Sequence, residues 1–363
     1  MKRVAITGAT GAIGLALIEK CIEHGTEAYV FVRRDSKRIA RIPEHPLVHK
    51  IYCSLDEMAG LDTQDIPKID VFYHFAWMKA FGEEARDDLK AQIKNIEYAI
   101  DSVELAKRIG CRRYIGAGSQ AEYGRIYADR IRDAERSAEG EAGASVKADV
   151  GVDTGAGDMA DTGTDTGVGA MTDACDMVLR INTRCDPENG YGMAKLAAGQ
   201  MTRLACEKSG MEHIWTRVLS VYGPGDGEGT LVMSVIRDAL SGSDPECTKA
   251  EQIWDYLYSK DVGEAFRLLG EKGAPGKTYV LGSGKARPLR EYIEDICDAC
   301  HEIAENAGAV TPIYGAKPYG AKQVMHLEAD ISEIQKDTGF SPQTDFKTGI
   351  RETIRWFRRE VTG

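Results

Sequence analysis

The sequence has no long apolar segment. No run of 18 or more apolar residues occurs among its 363 residues, and its start carries no basic region followed by an apolar core. A membrane-spanning helix needs about 20 mostly apolar residues, and a secretory signal needs that basic and apolar order. We therefore expect a soluble, cytoplasmic protein without a membrane partner.

An excess of basic residues is also missing. Lys and Arg number 46 against 57 Asp and Glu, which gives a formal net charge of -11. A surface that neutralises nucleic-acid phosphates would carry the opposite sign. The composition therefore argues against nucleic acid as a partner, while 43% hydrophobic residues can fill one large core or two smaller ones.

The cysteines give no sign of a disulfide framework. They number nine and are spread widely, as is typical of reduced thiols packed as small apolar side chains. Cys297, Cys300 and His301 match the CxxCH haem-attachment pattern, but they lie in an apparent amphipathic helix. We interpret them as part of a helical core and predict no metal site.

One stretch has almost no large side chains. From Ala148 to Leu179 there is no Lys or Arg and there are seven aspartates, and the segment DTGAGDMADTGTDTGVGA repeats Asp, Thr and Gly. Such a composition cannot bury enough apolar surface to fold by itself. The aspartates also lack the spacing and the closing glutamate of a calcium loop. We interpret this acidic tract as a surface insertion, with a lid over the substrate as the alternative.

Elsewhere, short β-rich segments alternate with helical patterns. The predicted strands are Val4 to Thr7, Ala28 to Val32, Val71 to Ala76 and Arg113 to Gly118, and the predicted helices are Gly14 to His24 and Glu83 to Lys107. This alternation predicts a parallel sheet with helices on both faces, the doubly wound Rossmann-type α/β fold.

The first predicted strand leads into a glycine-rich turn, TGATGAIG, and then into a helix. Backbone N–H groups and the helix dipole at such a turn can hold a pyrophosphate. Gly8 permits the tight turn, Gly11 lets the phosphates approach, and Gly14 lets helix and strand pack closely. The turn therefore predicts a dinucleotide cofactor.

The second predicted strand ends in positive charge. Many NAD-binding proteins place an acidic residue here for the ribose 2′-hydroxyl, whereas this strand continues as Arg33-Arg34-Asp35. A cation suits a 2′-phosphate, and Arg33 is the best candidate for a stacked or bidentate contact. We therefore expect NADP, with NAD as the alternative if Asp35 serves as the acid.

Tyr191 and Lys195 are four residues apart, which places the phenol and the ammonium on one face of a helix. A nearby cation stabilises the phenolate and lowers a pKa that starts near about 10. Such a tyrosine can exchange a proton with a carbonyl or an alcohol while a nicotinamide exchanges the hydride. The pair predicts an oxidoreductase.

Six motifs together resemble the extended short-chain dehydrogenase/reductase family, the NAD(P)-dependent epimerase/dehydratase group. They are TGATGAIG, Asp70 to Ala76, Asn95, Gly118 to Gly124, Tyr191 to Lys195 and Arg217 to Gly225. The resemblance covers nearly the whole chain except about residues 126–182.

The resemblance implies roles for individual residues. Tyr191 corresponds to the catalytic acid/base, Lys195 to the residue that tunes it, and Ser119 to the group that polarises the substrate oxygen. The implied cofactor contacts are Gly8, Thr10, Gly11, Ala12, Ile13, Gly14, Arg33, Ser54, Leu55, Phe75, Ala76, Asn95 and Lys195. The implied substrate contacts are Trp77, Glu122, Tyr222, Trp254 and Arg287.

The positions after Ser119 bear on the reaction. Sugar 4,6-dehydratases of the family place an Asp-Glu pair there to move a proton and expel water, and this chain has Gln120 and Ala121. An epimerase with retained NAD and an NADPH-dependent ketoreductase remain. The motifs from Tyr222 to Asp261 look most like CDP-abequose synthase and similar nucleotide-sugar 4-ketoreductases, so we favour the reductase.

Two departures from the resemblance affect the substrate. Relatives usually carry arginine where this chain has Trp254, and a second basic residue would be expected at Gly320. The arginine binds the pyrophosphate of the sugar nucleotide in the family. Either Arg287, Lys317 or Lys322 substitutes here, or the substrate is not a nucleotide sugar.

The resemblance also predicts the domain organisation. The expected parts are a cofactor-binding catalytic domain at 1–221 with the insertion at 127–182, a return to it at 252–272, a substrate domain at 222–251 and 273–345, and a C-terminal amphipathic helix at 346–363. The return would consist of a strand from Ile253 to Tyr258 in the sheet and a helix after Asp261. The acidic tract would interrupt one domain rather than link two, because Ser119 and Tyr191 would belong to one active site.

Helices around Asn95 and Tyr191 commonly pair across a dimer in this family, so the resemblance implies a homodimer. Two alternatives belong to other classes of protein: a non-catalytic cofactor-sensing regulator, and an interaction protein recruited through the acidic tract. The presence of Ser119, Tyr191 and Lys195 favours the enzyme over the regulator, and deletion of the acidic tract would test the interaction protein.

Overall fold

Seven parallel strands form the central sheet of the protein, for which a computed structural model describes residues 1–125, 177–304 and 309–362. The strands are, in chain order, β1 Arg3–Thr7, β2 Glu27–Val32, β3 Val48–Tyr52, β4 Val71–His74, β5 Arg113–Ser119, β6 Glu212–Val218, β7 Ser220–Tyr222, β8 Glu246–Cys247, β9 Ile253–Trp254, β10 Tyr256–Tyr258, β11 Thr278–Leu281, β12 Arg287–Pro288, β13 Ile313–Tyr314 and β14 His326–Leu327. The central sheet has the order β11-β6-β5-β4-β1-β2-β3.

Helices cover this sheet and continue beyond it. They are α1 Ala12–Glu23, α2 Glu83–Arg86, α3 Leu89–Arg108, α4 Gly190–Ser209, α5 Leu231–Leu240, α6 Ser259–Lys272, α7 Leu289–Ile303, α8 Ser332–Thr338 and α9 Phe346–Thr362. Strands β4 and β5 are buried along their whole length, as is typical of a parallel sheet covered on both faces. The predicted doubly wound α/β fold is confirmed.

Two predicted elements differ from the pattern, one in its end and one in its continuity. The strand predicted to reach Ala76 stops at His74, because the N–H groups of Phe75 and Ala76 turn to the Thr7 hydroxyl at 3.1 and 3.2 Å. The single helix predicted from residue 83 is split into α2 and α3. The Asp88 carboxylate caps a new helix by accepting a hydrogen bond from the N–H of Ala91 at 3.1 Å.

The strand expected from Ile253 to Tyr258 does not join the central sheet. It is divided at Asp255 into β9, which pairs with β12 and β14, and β10, which pairs with β7. The Asp255 carboxylate is fully buried and accepts hydrogen bonds from the N–H groups of Ser283, Gly284 and Ala329, so the chain bends around it. The following helix, α6, packs against α1, where Gly263 lies directly on Ala16.

A second hydrophobic core lies between α5, α7 and α9 and includes Ile236, Ile293 and Ile354. The predicted C-terminal amphipathic helix is α9, in which Ile350 and Ile354 are fully buried. Cys297 and Cys300 are buried on α7, as the helical interpretation of the CxxCH pattern predicted. Within the part of the chain that the structure describes, no helix is both long and apolar enough to cross a membrane.

The boundaries of the predicted domains stay predictions. The described residues up to 125 and from 178 onward belong to one compact unit that contains both cores. The acidic tract up to residue 176, and with it the lid and calcium-loop hypotheses, lies outside the described residues.

Candidate active site

The glycine-rich turn joins β1 to α1 in the geometry that its spacing predicted. Gly8 has φ +70°, and a Cβ atom there would lie 2.7 Å from the backbone nitrogen of Ala76. A Cβ at Gly14 would lie 2.4 Å from the carbonyl oxygen of Gly8. Gly11 is different, because among the described residues its Cβ would come within 4 Å of that carbonyl alone, at 3.7 Å. Two glycines therefore pack the turn, and the third leaves space on its outer side.

The N-terminus of α1 is suited to an anion. Gly11 occupies the cap position, and among the described residues no side chain accepts a hydrogen bond from the first turn. Thr10, Gly11, Ala12 and Ile13 are all partly exposed. Open N–H groups at the positive end of a helix dipole favour phosphate. This part of the predicted cofactor site therefore fits a pyrophosphate.

The end of β4 is held against the glycine turn by Thr7. Its hydroxyl accepts two backbone N–H bonds and lies 3.1 Å from Nδ1 of His74, so its own hydrogen goes to that nitrogen. His74 is buried, and burial followed by repulsion from Lys195 lowers its pKa to about 3. His74 is thus a neutral residue that fixes the strand end, and the next residues, Phe75 and Ala76, border Gly8.

The phenol and ammonium predicted from the Tyr191 spacing lie on α4. Asn189 caps this helix by accepting a hydrogen bond from the N–H of Gly192 at 2.8 Å, and Gly210 ends it at φ 68°. Lys195 is buried, and its Nζ donates to the carbonyl oxygen of Ala117 on β5 at 2.6 Å. Ser119 lies at the end of the same strand, close enough to Tyr191 for its hydroxyl to lower the pKa of the phenol. The three predicted catalytic residues therefore meet at the carboxyl end of β5.

The pKa of Tyr191 differs from the predicted direction. We expected a nearby cation to lower it, but burial raises it above its ordinary value and outweighs the lowering by the Ser119 hydroxyl and by Arg86. Burial also lowers the pKa of Lys195 to about 7, against a smaller opposing effect of Glu122. At neutral pH the site therefore holds a protonated phenol beside an amine that is only partly charged.

Trp77 joins the glycine turn to the catalytic residues. Its ring meets the Tyr191 ring edge-on at 6.1 Å, and the Lys195 ammonium lies 3.8 Å from its centroid. Its Nε1 donates to Gln92 on α3 at 2.9 Å. The side-chain amide of Asn95, one helical turn after Gln92, accepts a hydrogen bond from the N–H of Met78 and donates one to the carbonyl oxygen of Met78. The two amides fix the segment that carries Trp77, so Asn95 supports the site from behind.

Glu122, predicted as a substrate contact, lies in the interior instead. It is fully buried, and its carboxylate accepts hydrogen bonds from the N–H of Ser119, from Trp215 Nε1 and from Arg217 Nε at 2.8 to 3.0 Å. Burial raises its pKa, and the Arg217 charge opposes that effect. The carboxylate therefore holds the backbone of Ser119 and does not face a substrate.

The other predicted substrate contacts are engaged within the protein. Tyr222 is 1% exposed and packs on Phe346, so it belongs to the second core. Trp254 donates from Nε1 to the Ser220 hydroxyl at 2.8 Å. Arg287 lies 3.9 Å over the Tyr292 ring, and its charge is balanced by Asp295 at 2.5 Å and Glu291 at 3.6 Å. Arg287 is therefore a poor substitute for a phosphate-binding arginine, because its charge is already paired.

The remaining predicted cofactor contacts lie at the ends of β2 and β3. Arg33 is exposed and only loosely paired, with Nε 3.9 Å from Asp35. Ser54 caps the short turn Leu55–Gly60 together with Glu57, and Leu55 packs against the neighbouring core. Arg33 is thus free to meet a ligand, whereas Ser54 and Leu55 mainly shape the loop.

Two residues beside Tyr191 and Trp77 were missed by sequence reasoning. Arg86, on α2, lies with its guanidinium carbon 4.9 Å from the centroid of the Tyr191 ring. Gln92 is buried and binds Trp77 and two backbone carbonyls, those of Lys79 and Ala85. Neither residue belongs to a spacing pattern, so only the folded chain reveals them.

The parallel sheet and its glycine-rich first turn define a dinucleotide-binding fold. The model of the NAD dependent epimerase/dehydratase family matches residues 4–142 and 153–282, which is well over half of the sequence. The chain therefore belongs to this family, and the resemblance drawn from the motifs is confirmed. The match also extends into the acidic tract, further than the motifs indicated.

Comparisons with individual proteins agree with this membership. The chain is 29% identical to dTDP-glucose 4,6-dehydratase of Escherichia coli over 180 residues, 48% of this chain and 50% of that protein. It thus spans about half the length of the curated relatives it matches. Among solved structures, UDP-N-acetylglucosamine 4-epimerase of Methanobrevibacter ruminantium, in complex with UDP-N-acetylmuramic acid, has a TM-score of 0.75 at 19% identity, covering 99% of both chains. dTDP-glucose 4,6-dehydratase of Bacillus anthracis, in complex with NAD, has 0.72 at 15% identity, covering 100% of this chain and 98% of that one.

Proposed function

We propose that the protein is an NADPH-dependent reductase of a 4-keto nucleotide sugar. The observation that carries this proposal is that the glycine turn and the catalytic residues form one continuous site. Ala76 borders Gly8 in the glycine turn, and the next residue, Trp77, contacts both Tyr191 and Lys195. A dinucleotide whose pyrophosphate lies at α1 would therefore extend toward the group that can exchange a proton.

The proposed cofactor site consists of the open α1 N-terminus for the pyrophosphate and Arg33 for a ribose 2′-phosphate. A reduced nicotinamide held by these residues would supply the hydride for the substrate carbonyl carbon. The Lys195 ammonium donates a hydrogen bond to the carbonyl oxygen of Ala117. With a cofactor bound, it can rotate and donate to a ribose hydroxyl instead. The exposed Arg33 supports NADP. NAD is the alternative, with Asp35 as the acid that binds the ribose 2′-hydroxyl.

In the proposed reaction Tyr191 acts as the acid. Its phenol stays protonated at neutral pH because burial raises its pKa, so its hydroxyl can give a proton to the substrate oxygen as the hydride reaches the carbon. Ser119 lies beside Tyr191 and can direct its hydroxyl to the same substrate oxygen. Lys195, when protonated, stabilises the phenolate that remains.

A dehydratase is disfavoured by the residues after Ser119. That reaction needs a second acid and base, and Gln120 and Ala121 occupy the corresponding positions. The nearest carboxylate along the chain, Glu122, is fully buried and paired with Arg217. The site can therefore exchange a proton through Tyr191, but Gln120, Ala121 and the paired Glu122 offer no group that would expel water.

The test is a screen of purified protein against nucleotide sugars and their 4-keto forms, followed by NADPH absorbance. We expect oxidation of NADPH with a 4-keto compound and tighter binding of NADP than of NAD. Inactivity with every keto compound, or tighter NAD binding, would contradict the proposal. An Arg33→Ala variant should lose the NADP preference while it retains NAD binding.

A second candidate is an epimerase that retains NAD. Asp35 favours it, because this exposed carboxylate follows the end of β2, near which NAD-binding proteins hold a ribose 2′-hydroxyl. The epimerase would interconvert two nucleotide sugars without net consumption of cofactor. Release of bound NAD from denatured protein, with product formation in the absence of added cofactor, would favour it over the reductase.

We also propose that the protein is a homodimer. Helices α3 and α4 pack together and carry exposed apolar side chains on their outer surfaces. These are Leu89, Ile93, Met193, Met201 and Leu204. An apolar patch of this kind is typical of a protein interface. Light scattering should give the mass of two chains, and Ile93→Lys combined with Leu204→Glu should give one.

A further inference from the structure

Arg86 lies directly beside the proposed catalytic tyrosine. Its guanidinium carbon is 4.9 Å from the centroid of the Tyr191 ring, within the range of a cation–π contact. Its Nε donates to the carbonyl oxygen of Ala80 at 2.9 Å, which limits rotation of the side chain. The guanidinium is therefore aimed at the ring by a hydrogen bond of its own.

The backbone around Arg86 is fixed to the helix that carries Tyr191. The Asp87 carboxylate accepts a hydrogen bond from the N–H of Gly190, the first residue of α4, at 2.8 Å. A Cβ at Gly190 would lie 2.8 Å from the Leu89 side chain and 3.0 Å from the carbonyl oxygen of Arg86. Glycine is needed at this position because the two segments touch. The chain segments that carry Arg86 and Tyr191 are therefore fixed to each other.

Arg86 supplies a permanent positive charge at a site where Lys195 is charged only in part. Lys195 lies further from the Tyr191 ring, at 5.8 Å, and its ammonium is directed to Ala117 and Trp77. Burial lowers the pKa of Lys195 to about 7, so a large fraction is uncharged near neutral pH. A guanidinium stays charged throughout this range. The permanent positive charge at the tyrosine ring is therefore that of Arg86.

We propose that Arg86 is a positioning residue for Tyr191, which holds the phenol ring in place and stabilises the negative charge left on its oxygen. The inference rests on the proposed function for the identity of the step. In that step the Tyr191 O–H bond breaks, an O–H bond forms on the substrate oxygen, and the electron pair remains on the phenolate. Arg86 exchanges no proton and acts only through its charge and its contact with the ring.

The test measures the phenol without substrate or cofactor. Tyr191→3-fluorotyrosine gives one fluorine signal whose shift with pH reports the pKa of that phenol. Arg86→Gln should raise this pKa by roughly 1 to 2 units, as expected for a charge removed at about 5 Å in a partly solvated site. Arg86→Lys should restore most of the wild-type value. Lys90→Gln removes the same charge from an exposed position nearby and should leave the titration unchanged.

An unchanged titration in Arg86→Gln, or the same shift in Lys90→Gln, would overturn the proposal. If Arg86→Gln unfolds, the comparison of Arg86→Lys with Arg86→Met decides, since both keep a long stem and only one keeps a charge. The titration needs no turnover, so it stands even if every nucleotide sugar proves inactive. Where activity is found, Arg86→Gln should lower kcat about tenfold with little change in KM, and Arg86→Lys should recover it.

Discussion

The ammonium of Lys195 lies 3.8 Å from the centroid of the Trp77 ring, while its Nζ donates to the carbonyl oxygen of Ala117. Both contacts favour the charged form of a lysine whose burial lowers its pKa to about 7. Trp77 stands between Tyr191 and the end of β4, where the glycine turn is packed. The indole therefore links the cofactor side of the site to the catalytic side.

Replacing Trp77 is expected to weaken the charge on Lys195. Trp77→Leu removes a desolvated cation–π contact of about 2 kcal/mol, which should lower the Lys195 pKa by about 1.5 units and reduce activity at neutral pH by roughly 15-fold. Trp77→Phe keeps an aromatic face and loses only the hydrogen bond to Gln92. Steady-state kinetics that give equal losses for both variants would contradict this account.

The activity is expected to fall as pH rises through about 7, where Lys195 loses its charge. Its folded pKa lies below the usual value for lysine, so it is cationic below that pH and neutral above it. The ratio kcat/KM for NADPH reports groups of the free enzyme and is the quantity to measure. The Trp77→Leu variant should move the decline to lower pH. A profile that stays flat through the alkaline range would refute the role given to Lys195.

Gly8 and Gly11 are expected to respond differently to alanine. Gly8→Ala places a Cβ 2.7 Å from the backbone of Ala76 at φ +70°, so we expect a large loss of thermal stability. Gly11→Ala has room for its methyl group in the cofactor-free protein and should fold normally. It should nevertheless bind NADP more weakly, because the methyl group occupies the approach of the phosphates. Thermal unfolding of both variants tests the expected loss of stability in Gly8→Ala, and NADP titration tests the weaker binding expected in Gly11→Ala.

Glu122 is expected to contribute to stability through its buried pair with Arg217. Glu122→Gln leaves a buried guanidinium without its counter-charge, which should cost about 3 to 5 kcal/mol in the free energy of unfolding. Adding Arg217→Met to that variant should recover part of the loss. The exposed pair of Lys94 and Glu97 supplies the control, because Lys94→Gln should leave the free energy of urea unfolding nearly unchanged.

The sequence carried enough information to predict four of the seven strands of the central sheet and the turn after the first of them. The spacing and composition of the apolar residues predicted β1, β2, β4 and β5, because a buried parallel strand is a short apolar run with little ambiguity. The break between α2 and α3 was missed, since Asp88 fits the surface of a continuous helix as well as a cap. The bend at Asp255 was missed for a similar reason: its partners, Ser283 and Ala329, are distant in sequence.

The site was predictable only where a motif defines it. Ser119, Tyr191 and Lys195 follow from short patterns, and the structure brings them together. Glu122 and Tyr222 look like site residues by their neighbours in sequence, yet each points into a core. The direction of the Tyr191 pKa depends on desolvation, which a helix pattern does not reveal.

The most direct test of the account is the Tyr191→Phe variant, compared with wild type for turnover of a 4-keto nucleotide sugar and for NADP binding. Phenylalanine keeps the ring that Trp77 and Arg86 contact and removes only the hydroxyl that would transfer the proton. We predict that turnover is abolished while the Kd for NADP stays close to the wild-type value. Turnover that survives in Tyr191→Phe would contradict the proposed role of Tyr191 and with it the mechanism.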